Sequence, residues 1–360
     1  MTTVYPVIMC GGAGTRLWPI SKRAKAKQYH SLTSEYTMLQ ETIQRMNQAT
    51  DLDVAAPSFV CAQSDENFII EQSKAVGVDP LHIILEPIGR NTAPVAAIIS
   101  LLLKDIQPTD LILLLPADHH ISKPKEFWAC VQKGINAAND GQLVTLGIKP
   151  TTPETGYGYI HQGNQIEAHV FNVNSFVEKP NLETAKQYLA SGKYFWNAGI
   201  FLFAPTTMLD NFKEHAPDIL RACQQTLASS PHDGIILALD ETIFTTCPSE
   251  SIDYAIMEKS STVALVAPVD AGWNDIGSWP ALAELQLQLG SDSPQKGDVL
   301  EVDCVDSYLH SDGILIAGVG LKDMIVVATK DAVLVMPKDQ AQNVKKIVEQ
   351  LKKTGRTDLY

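Results

Sequence analysis

Short apolar runs alternate with segments of helical period along the first 150 residues of the chain. The apolar runs predict buried strands over Val4–Cys10, Ser58–Ala62, Leu111–Leu115 and Leu143–Ile148. The periodic segments predict helices over Thr37–Met46, Asp65–Ala75, Thr92–Asp105 and Lys125–Asn139. Strands and helices that alternate in this way indicate an α/β fold, with a mostly parallel sheet that is covered on both faces.

Local signals mark the ends of several of these elements. Thr37 and Gln40 have the spacing of a capping box at the start of a helix. Asn91 or Thr92 is the expected cap of the third helix. Proline cannot donate to a strand ladder, so Pro6 must lie where the first strand needs no donor.

The second half of the chain has a different pattern. Residues 150–275 mix short strands with turns, Pro280–Leu289 is helical, and Ser291–Pro294 has the composition of a linker. Short strand-like runs follow at Val299–Val302, Ile314–Ala317, Ile325–Ala328 and Ala332–Val335. A final amphipathic helix carries one apolar face, made of Val344, Ile347, Val348 and Leu351. We therefore expect a large domain over residues 1–290 and a small β-rich C-terminal domain, with its terminal helix, over residues 291–360.

The chain is acidic, with 28 Lys and Arg against 41 Asp and Glu and a net charge of −13. This charge argues against nucleic acid or an anionic membrane as a partner. The first 34 residues nevertheless contain no acidic residue, and their basic residues are Arg16, Lys22, Arg23, Lys25 and Lys27. A local cationic segment in an acidic protein is what an anionic substrate requires.

Other features favour a cytoplasmic protein. No run approaches the roughly 18 apolar residues that a membrane span needs. The N-terminus has no basic segment ahead of an apolar core, which argues against a signal peptide. The six cysteines are scattered and form no C-x-x-C pair, so we expect reduced thiols rather than a zinc site or a disulfide framework.

A glycine-rich loop, Gly11-Gly12-Ala13-Gly14-Thr15-Arg16, follows the first predicted strand. Glycine allows positive φ and close approach, so backbone N–H groups can turn towards an anion. The loop lacks the G-K-[ST] ending of a Walker A loop, and Leu17 stands where a dinucleotide fingerprint has its third glycine. With Arg16 in the loop and Lys27 downstream, a phosphate site is favoured over a plain turn.

Two aspartates are candidates for a metal site. Asp118 comes just after a buried strand, and Asp275 lies in a tryptophan-flanked turn before a helix. Two carboxylates together with phosphate oxygens are a usual way to hold Mg²⁺, but the residues alone leave a turn or cap role open for both. The adjacent His119 and His120 have no third ligand at a suitable spacing, so a structural or phosphate-adjacent role is favoured over zinc.

Eight groups of residues, spread over essentially the whole chain, resemble the mannose-1-phosphate guanylyltransferases, a family that forms GDP-mannose from GTP and mannose 1-phosphate. The segments are Gly11–Ser21 with Lys27-Gln28, Glu86-Pro87 with Arg90–Pro94, Pro116–His119, Gly156–Ile160, Val177–Pro180, Trp196–Gly199, Ser251–Glu258 and Trp273–Trp279. The family usually has proline before the lysine, where this chain has Ala26. The resemblance implies a Rossmann-like fold of the nucleotidyltransferase type, with residues 1–290 as its catalytic domain.

The resemblance also implies roles for individual residues. It assigns Mg²⁺ to Asp118 and Asp275, and catalysis to Arg16, Lys27, Asp118, Lys179 and Asp275. The implied nucleotide-binding residues are Gly11, Gly12, Gly14, Thr15, Arg16, Glu86, Arg90, Asn91, Ala93 and Asp118. The implied sugar-phosphate-binding residues are Gly156, Tyr157, Glu178, Lys179, Asn197 and Asp253. The residues alone leave simpler roles open: an exposed charge pair for Glu178 and Lys179, a turn for Asn197, and a helix start for Asp253.

The implied reaction is in-line attack of a sugar-phosphate oxygen on the α-phosphorus of GTP, with pyrophosphate leaving. Positioning and charge neutralisation dominate such a step, because two anions must be brought together. A phosphate monoester is already largely dianionic near neutral pH, so no general base is needed.

Three other functions remain in competition. They are synthesis of another sugar nucleotide of the ADP- or UDP-glucose type, an additional mannose-6-phosphate isomerase activity, and a non-catalytic sugar-nucleotide-binding regulatory subunit. Arg90–Pro94 and Trp273–Trp279 favour the mannose–guanosine pair. Long relatives carry an extra β-barrel domain for the isomerase activity, and a chain ending at Tyr360 is expected to lack it. The retained charged residues argue against a silent subunit, and we expect a homodimer.

Overall fold

The computed structural model describes residues 2–12, 14–290 and 295–360, and it divides the chain into two compact units. The first unit consists of Met1–Gly11, Ile43–Ala117 and Ile121–Trp273, and the second consists of Gly12–Thr42, Asp118–His120 and Asn274–Tyr360. The predicted linker Ser291–Pro294 lies outside the described residues, and the expected domain boundary after residue 290 stays a prediction.

The bounds of the elements are as follows. The strands are β1 Thr3–Met9, β2 Asp53–Val54, β3 Ser58–Ala62, β4 Ile83–Glu86, β5 Leu111–Pro116, β6 His120–Ile121, β7 Leu143–Ile148, β8 Tyr159–Glu167, β9 Val170–Val177, β10 Tyr194–Phe203, β11 His232–Asp233, β12 Ile236–Ala238, β13 Val263–Val266, β14 Trp273–Asn274, β15 Val299–Val302, β16 Tyr308–Ser311, β17 Ile316–Val319, β18 Met324–Ala328 and β19 Val333–Pro337. The α-helices are α1 Met38–Met46, α2 Glu66–Ala75, α3 Thr92–Leu102, α4 Pro124–Asn139, α5 Leu182–Ser191, α6 Pro205–His215, α7 Pro217–Ser229, α8 Glu241–Phe244, α9 Trp279–Gln288 and α10 Val344–Lys353.

The first unit contains one large mixed sheet, in the order β11-β12-β4-β3-β1-β5-β10-β7-β13-β9-β8, with β2 beside β1. The strands from β12 to β5 run parallel, as the alternation of strands and helices predicts. β10 is antiparallel to β5, β7 and β8, which makes the sheet mixed. The expected α/β fold is confirmed.

Most predicted elements of the N-terminal half are confirmed. The capping box of α1 is present, with the Thr37 N–H donating to Gln40 Oε1 at 3.1 Å and the Gln40 N–H donating to Thr37 Oγ1 at 3.2 Å. Asn91 is the cap of α3, because its Oδ1 accepts from the Thr92 N–H at 3.0 Å. On one side of β1, Pro6 lies between the residues that pair with β2 and those that pair with β3. Neither β2 nor β3 therefore needs the N–H that proline lacks.

The expectation for residues 150–275 was wrong in part, because this region contains four α-helices as well as strands and turns. α6 and α7 each begin with proline at the first helical position, Pro205 and Pro217, where its missing N–H costs nothing. α6 begins two residues after β10 ends, and α7 begins two residues after α6 ends, so no loop marks these boundaries in the sequence. α3 also ends at Leu102, earlier than predicted.

The second unit contains its own apolar core around Trp279, which is fully buried, and Trp18. The Trp279 indole N–H donates to the Trp18 carbonyl at 3.0 Å, and the Trp18 indole N–H donates to the Leu359 carbonyl at 2.7 Å. The expected β-rich C-terminal region is confirmed, with β15 parallel to β17 and β16 parallel to β18. On α10, Val344 and Val348 are buried as predicted, whereas Ile347 is 39 % exposed.

Candidate active site

The glycine-rich loop ends in a single turn of 3-10 helix, Thr15–Leu17. Gly14 precedes this turn with a φ of +53°, a conformation that glycine adopts without strain. A Cβ at Gly14 would stand 2.6 Å from Ser21 Oγ and 2.7 Å from Lys27 Cβ. The residue must therefore be glycine for two reasons, and its small size lets the Lys27 stem pass beside the loop.

Charged and polar groups of the second unit converge on a cavity of about 320 Å³. Its lining is Gly14, Thr15, Arg16, Leu17, Lys27, Asp118, His119, Asp275, Ile276 and Gly277. The structure thus brings together Arg16, Lys27 and both predicted metal ligands. The Arg16 guanidinium makes no ion pair or hydrogen bond with the described part of the chain, and Gly11 and Gly12 are exposed.

Lys27 is buried in this cavity wall and forms an ion pair with Asp118. Its Nζ lies 2.7 Å from Asp118 Oδ2, and the Lys27 side chain is only 6 % exposed. Burial alone would raise the pKa of Asp118, but the Lys27 ammonium and the neighbouring His119 hold this pKa below its usual range. Asp118 is therefore an anion at neutral pH and can accept a cation.

Asp275 is held by a tight, strained turn. Ile276 has a φ of +44°, which is unusual for a β-branched residue and is typical of functional sites. The Gly277 N–H donates to Asp275 Oδ1 at 3.0 Å, and a Cβ on Gly277 would stand 2.4 Å from Asp275 Oδ2. Lys27 Nζ also donates to the Asp275 carbonyl at 2.6 Å, so one lysine contacts both aspartates.

The donor set fits a divalent cation that arrives with phosphate. Among residues 2–12, 14–290 and 295–360, no three His, Cys, Asp or Glu side chains form a group that could hold a metal alone. Mg²⁺ does not need such a group, because it binds one or two carboxylates and keeps waters and substrate phosphates as its other ligands. Asp118 and Asp275 supply two carboxylates beside Arg16, in a cavity large enough for phosphate groups.

The two histidines after Asp118 have different surroundings. His119 lines the cavity, with its Nε2 3.9 Å from Asp118 Oδ1. His120 is buried, and its Nδ1 lies 3.4 Å from Glu41 Oε2. His119 therefore faces the cavity and His120 packs inside the fold, while a phosphate-adjacent role stays a prediction.

The predicted base and ribose residues lie in the first unit. Glu86 ends β4 and is buried, and its Oε1 has no hydrogen-bond partner among the described residues. Burial raises the pKa of Glu86 to about 8. Arg90 donates to the Thr245 carbonyl, and the Ala93 N–H donates to the Glu250 carbonyl at 3.1 Å.

Glu178 and Lys179 are the first pair of predicted sugar-phosphate residues. Their side chains form an ion pair in which Glu178 is 8 % exposed and Lys179 is 58 % exposed. A Cβ on Gly158 would stand 2.4 Å from Glu178 Oε2, so the glycine makes room for this carboxylate. Lys179 has a φ of +50°, and its N–H donates to the Tyr157 carbonyl at 3.2 Å. The pair is therefore built into the fold and is more than an exposed charge pair.

Asn197 and Asp253 are joined directly, with Asn197 Nδ2 donating to Asp253 Oδ1 at 2.9 Å. Asp253 begins a turn of π-helix, Asp253–Met257, a conformation that occurs often at functional sites. Burial and the nearby Glu178 carboxylate raise the pKa of Asp253 to about 6. Glu178, Lys179, Asn197 and Asp253 thus form one cluster of the first unit.

Aromatic side chains pack around the predicted contact Tyr157. Its ring meets Trp196 and Trp273 edge to face, with centroids 5.2 Å and 5.4 Å away. Gly156 is exposed and makes none of these contacts. Sequence reasoning missed Gly158 and the Trp196 and Trp273 rings as supports, although all three lie inside the motifs that carried the resemblance.

Comparisons with known proteins agree with this fold. A family model described as nucleotidyl transferase matches residues 5–292, and one described as a MannoseP isomerase/GMP-like beta-helix domain matches residues 297–351. The chain is 43 % identical to mannose-1-phosphate guanylyltransferase of Escherichia coli (strain K12), over 98 % of this chain and 74 % of that one. It is also 43 % identical to mannose-1-phosphate guanylyltransferase ManC of Salmonella typhimurium, over 99 % of this chain and 74 % of that one.

A solved structure shows the same architecture. The crystal structure described as mannose-1-phosphate geranyltransferase from Thermus thermophilus superposes with a TM-score of 0.83 at 31 % identity, over 98 % of this chain and 100 % of that one. The fold and the family model over residues 5–292 identify a nucleotidyltransferase, a family that generally uses a divalent metal. Within that class, the chain belongs to the mannose-1-phosphate guanylyltransferase family.

Two further expectations can be compared with the structure. All six cysteines are described and are free thiols, as predicted. Over the described residues, no helix is long and apolar enough to cross a membrane.

Proposed function

We propose that this chain joins GTP and mannose 1-phosphate to form GDP-mannose and pyrophosphate, with the help of Mg²⁺. The observation that carries the proposal is the double contact of Lys27 with Asp118 and Asp275 in a cavity that Arg16 also lines. The full-length similarity to the mannose-1-phosphate guanylyltransferases supports the choice of substrates.

The residues of the cavity would act on the triphosphate. Arg16 and the backbone of Gly11–Thr15 would bind the β- and γ-phosphates, which leave as pyrophosphate. Lys27 would neutralise charge where the two phosphates approach each other. Asp118 and Asp275 would hold Mg²⁺, which supplies Lewis-acid stabilisation of the negative charge at the reacting phosphate when it is bound.

The first unit would supply the specificity. Glu178, Asn197 and Asp253 offer hydrogen-bond acceptors and a donor for sugar hydroxyls, and Lys179 offers an exposed ammonium group for the sugar phosphate. Glu86, Arg90, Asn91 and Ala93 would meet the base and ribose. The homodimer and the cytoplasmic location expected from the sequence belong to this proposal as well.

One assay tests the proposal. Each nucleoside triphosphate is crossed with each sugar 1-phosphate, and pyrophosphate release is measured with Mg²⁺ and after its removal by EDTA. We expect the highest kcat/KM with GTP and mannose 1-phosphate, loss of turnover with EDTA, and recovery when Mg²⁺ is added back. A preference for ATP or UTP with glucose 1-phosphate would favour the alternative sugar nucleotide. Binding of GDP-mannose without turnover of any pair would favour a regulatory subunit.

A further inference from the structure

A single polar side chain interrupts β7, an apolar strand inside the large sheet. All six residues of β7, with the sequence LVTLGI, are buried, and Thr145 is 0 % exposed. A buried hydroxyl needs a hydrogen-bond partner, because burying it unpaired costs free energy. The partner of Thr145 is the side chain of Asn197, whose Oδ1 accepts from Thr145 Oγ1 at 3.1 Å.

The contacts of Asn197 fix which end of its amide points where. Oδ1 accepts a second hydrogen bond from the Gly199 N–H at 3.0 Å, and Nδ2 donates to Asp253 Oδ1 at 2.9 Å. With two donors on the oxygen, the nitrogen has to face the carboxylate. One amide N–H remains without a partner in the part of the chain that the structure describes, and the side chain is partly exposed.

The backbone of β10 is shaped to bring Asn197 to this place. Asn197 pairs with Gly147, and Phe201 pairs with Thr145, so β10 carries extra residues opposite β7. Gly199, within this bulge, has a φ of +65°. Bulges of this kind re-aim a side chain next to active sites. The bulge and the threonine therefore act on the same amide group.

We propose that Thr145 is a positioning residue for sugar-phosphate binding: it holds the Asn197 amide so that one N–H donates to Asp253 and the other can donate to a sugar hydroxyl. This inference rests on the proposed function, in which Asn197 and Asp253 contact the sugar. Without the hydroxyl, only Gly199 holds the amide oxygen. If the Asn197 amide then rotated, its oxygen would face Asp253. The amide would lose its donation to Asp253 and its donation to the sugar hydroxyl.

The test compares Thr145→Val, which keeps the shape of the side chain and removes its hydroxyl, with Thr145→Ser, which keeps the hydroxyl. The matched control is Thr226→Val, because Thr226 is also fully buried but donates to the Ala222 carbonyl within α7. In Thr145→Val we expect the KM for mannose 1-phosphate to rise about tenfold, the loss of roughly one hydrogen bond, with the KM for GTP unchanged. Thr145→Ser and Thr226→Val should keep both KM values near those of the wild type.

A pH profile separates positioning from general damage to the core. Burial and the Glu178 carboxylate raise the pKa of Asp253, whereas a hydrogen bond from its own backbone, the Lys179 ammonium and the Asn197 amide N–H lower it. Loss of the amide donation should therefore move the acid limb of kcat/KM for mannose 1-phosphate to higher pH in Thr145→Val. The titration of the substrate is common to both enzymes and cancels in the comparison.

Several outcomes would overturn the inference. They are equal rises in both KM values, an unshifted acid limb, and failure of Thr145→Ser to restore sugar binding. If the wild type does not turn over GTP with mannose 1-phosphate, it is the proposed function that fails. A wild type that is active beside a Thr145→Val enzyme with unchanged KM values refutes only the role of Thr145.

Discussion

The ammonium group of Lys27 lies 2.7 Å from the carboxylate of Asp118, and this pair organises the cavity. The lysine side chain is almost fully buried, whereas 29 % of the aspartate side chain remains exposed. The aspartate is therefore an anion with one oxygen engaged by lysine and an open face towards the cavity. The same lysine donates to the Asp275 carbonyl, so the pair also fixes the turn that carries the second carboxylate.

The first prediction is that Asp118→Asn abolishes turnover while the fold persists. The change removes one of the two proposed Mg²⁺ ligands and the charge that faces Lys27. Loss of a fixed electrostatic contact at the reacting phosphate typically lowers kcat by about 10²–10³-fold, and loss of the cation as well should lower it further. Pyrophosphate release gives the rate, and circular dichroism with thermal unfolding reports on the fold. The control is Asp140→Asn, which changes an exposed carboxylate just after α4. Near-normal pyrophosphate release by Asp118→Asn would refute the metal assignment.

The second prediction concerns Arg16, whose guanidinium has no ion pair within the described residues. Because its guanidinium makes no hydrogen bond or ion pair with the described residues that the fold would lose, Arg16→Ala should leave the unfolding temperature nearly unchanged. We expect kcat/KM for GTP to fall at least tenfold, since hydrogen bonds to charged groups contribute about 1.5–3 kcal/mol. Arg23→Ala removes an exposed arginine of the same cationic segment and should have little effect. Unchanged kinetics in GTP for Arg16→Ala would count against the role of the loop.

The third prediction uses the raised pKa of Asp253, which lies at about 6 because of burial and the Glu178 carboxylate. The pKa of Asp253 is about 4 in the unfolded chain, so between about pH 4 and about pH 6 the folded protein binds more protons than the unfolded chain does. The contribution of Asp253 to the stability of the fold therefore falls as the pH rises through this window. Asp253→Asn removes the buried charge but keeps an oxygen that can accept from Asn197. Its unfolding temperature should exceed that of the wild type at pH 8, and the difference should vanish near pH 4. A difference that does not depend on pH would contradict the assignment.

How far the sequence predicts this fold depends on the range of the interactions. The strands β3 and β7 have the predicted bounds, and the capping box of α1 forms as expected, because apolar runs and caps are local signals. The helices α6 and α7 escaped prediction, since α6 begins two residues after β10 ends and α7 begins two residues after α6 ends, so no loop marks either boundary. The antiparallel insertion of β10 between β5 and β7 depends on pairing across the whole sheet, which no local pattern encodes.

The candidate site was also predictable from local motifs but not from contacts between residues far apart in the sequence. The motifs predicted that Arg16, Lys27, Asp118 and Asp275 act together, and all four line one cavity. The motifs did not predict that Lys27 would contact both aspartates, because Lys27 and Asp275 lie 248 residues apart in the sequence. A lone polar residue in an apolar strand was the available signal for Thr145. Its meaning required knowing which side chain lies opposite.

The fourth prediction is that Ala26→Pro stabilises the protein without loss of activity. Ala26 stands where the family usually has proline, and it already has the φ of −74° and ψ of 166° that proline prefers. Its N–H has no partner among the described residues, and its carbonyl, which accepts from the Tyr29 N–H at 3.0 Å, would be kept. Restricting the unfolded chain at such a position should stabilise the protein by about 0.4–1 kcal/mol, seen as a higher unfolding temperature with unchanged kcat. Ala26→Gly should lower the unfolding temperature, because glycine increases the conformational entropy of the unfolded chain. A lower unfolding temperature in Ala26→Pro would mean that the proline ring does not fit beside Lys27.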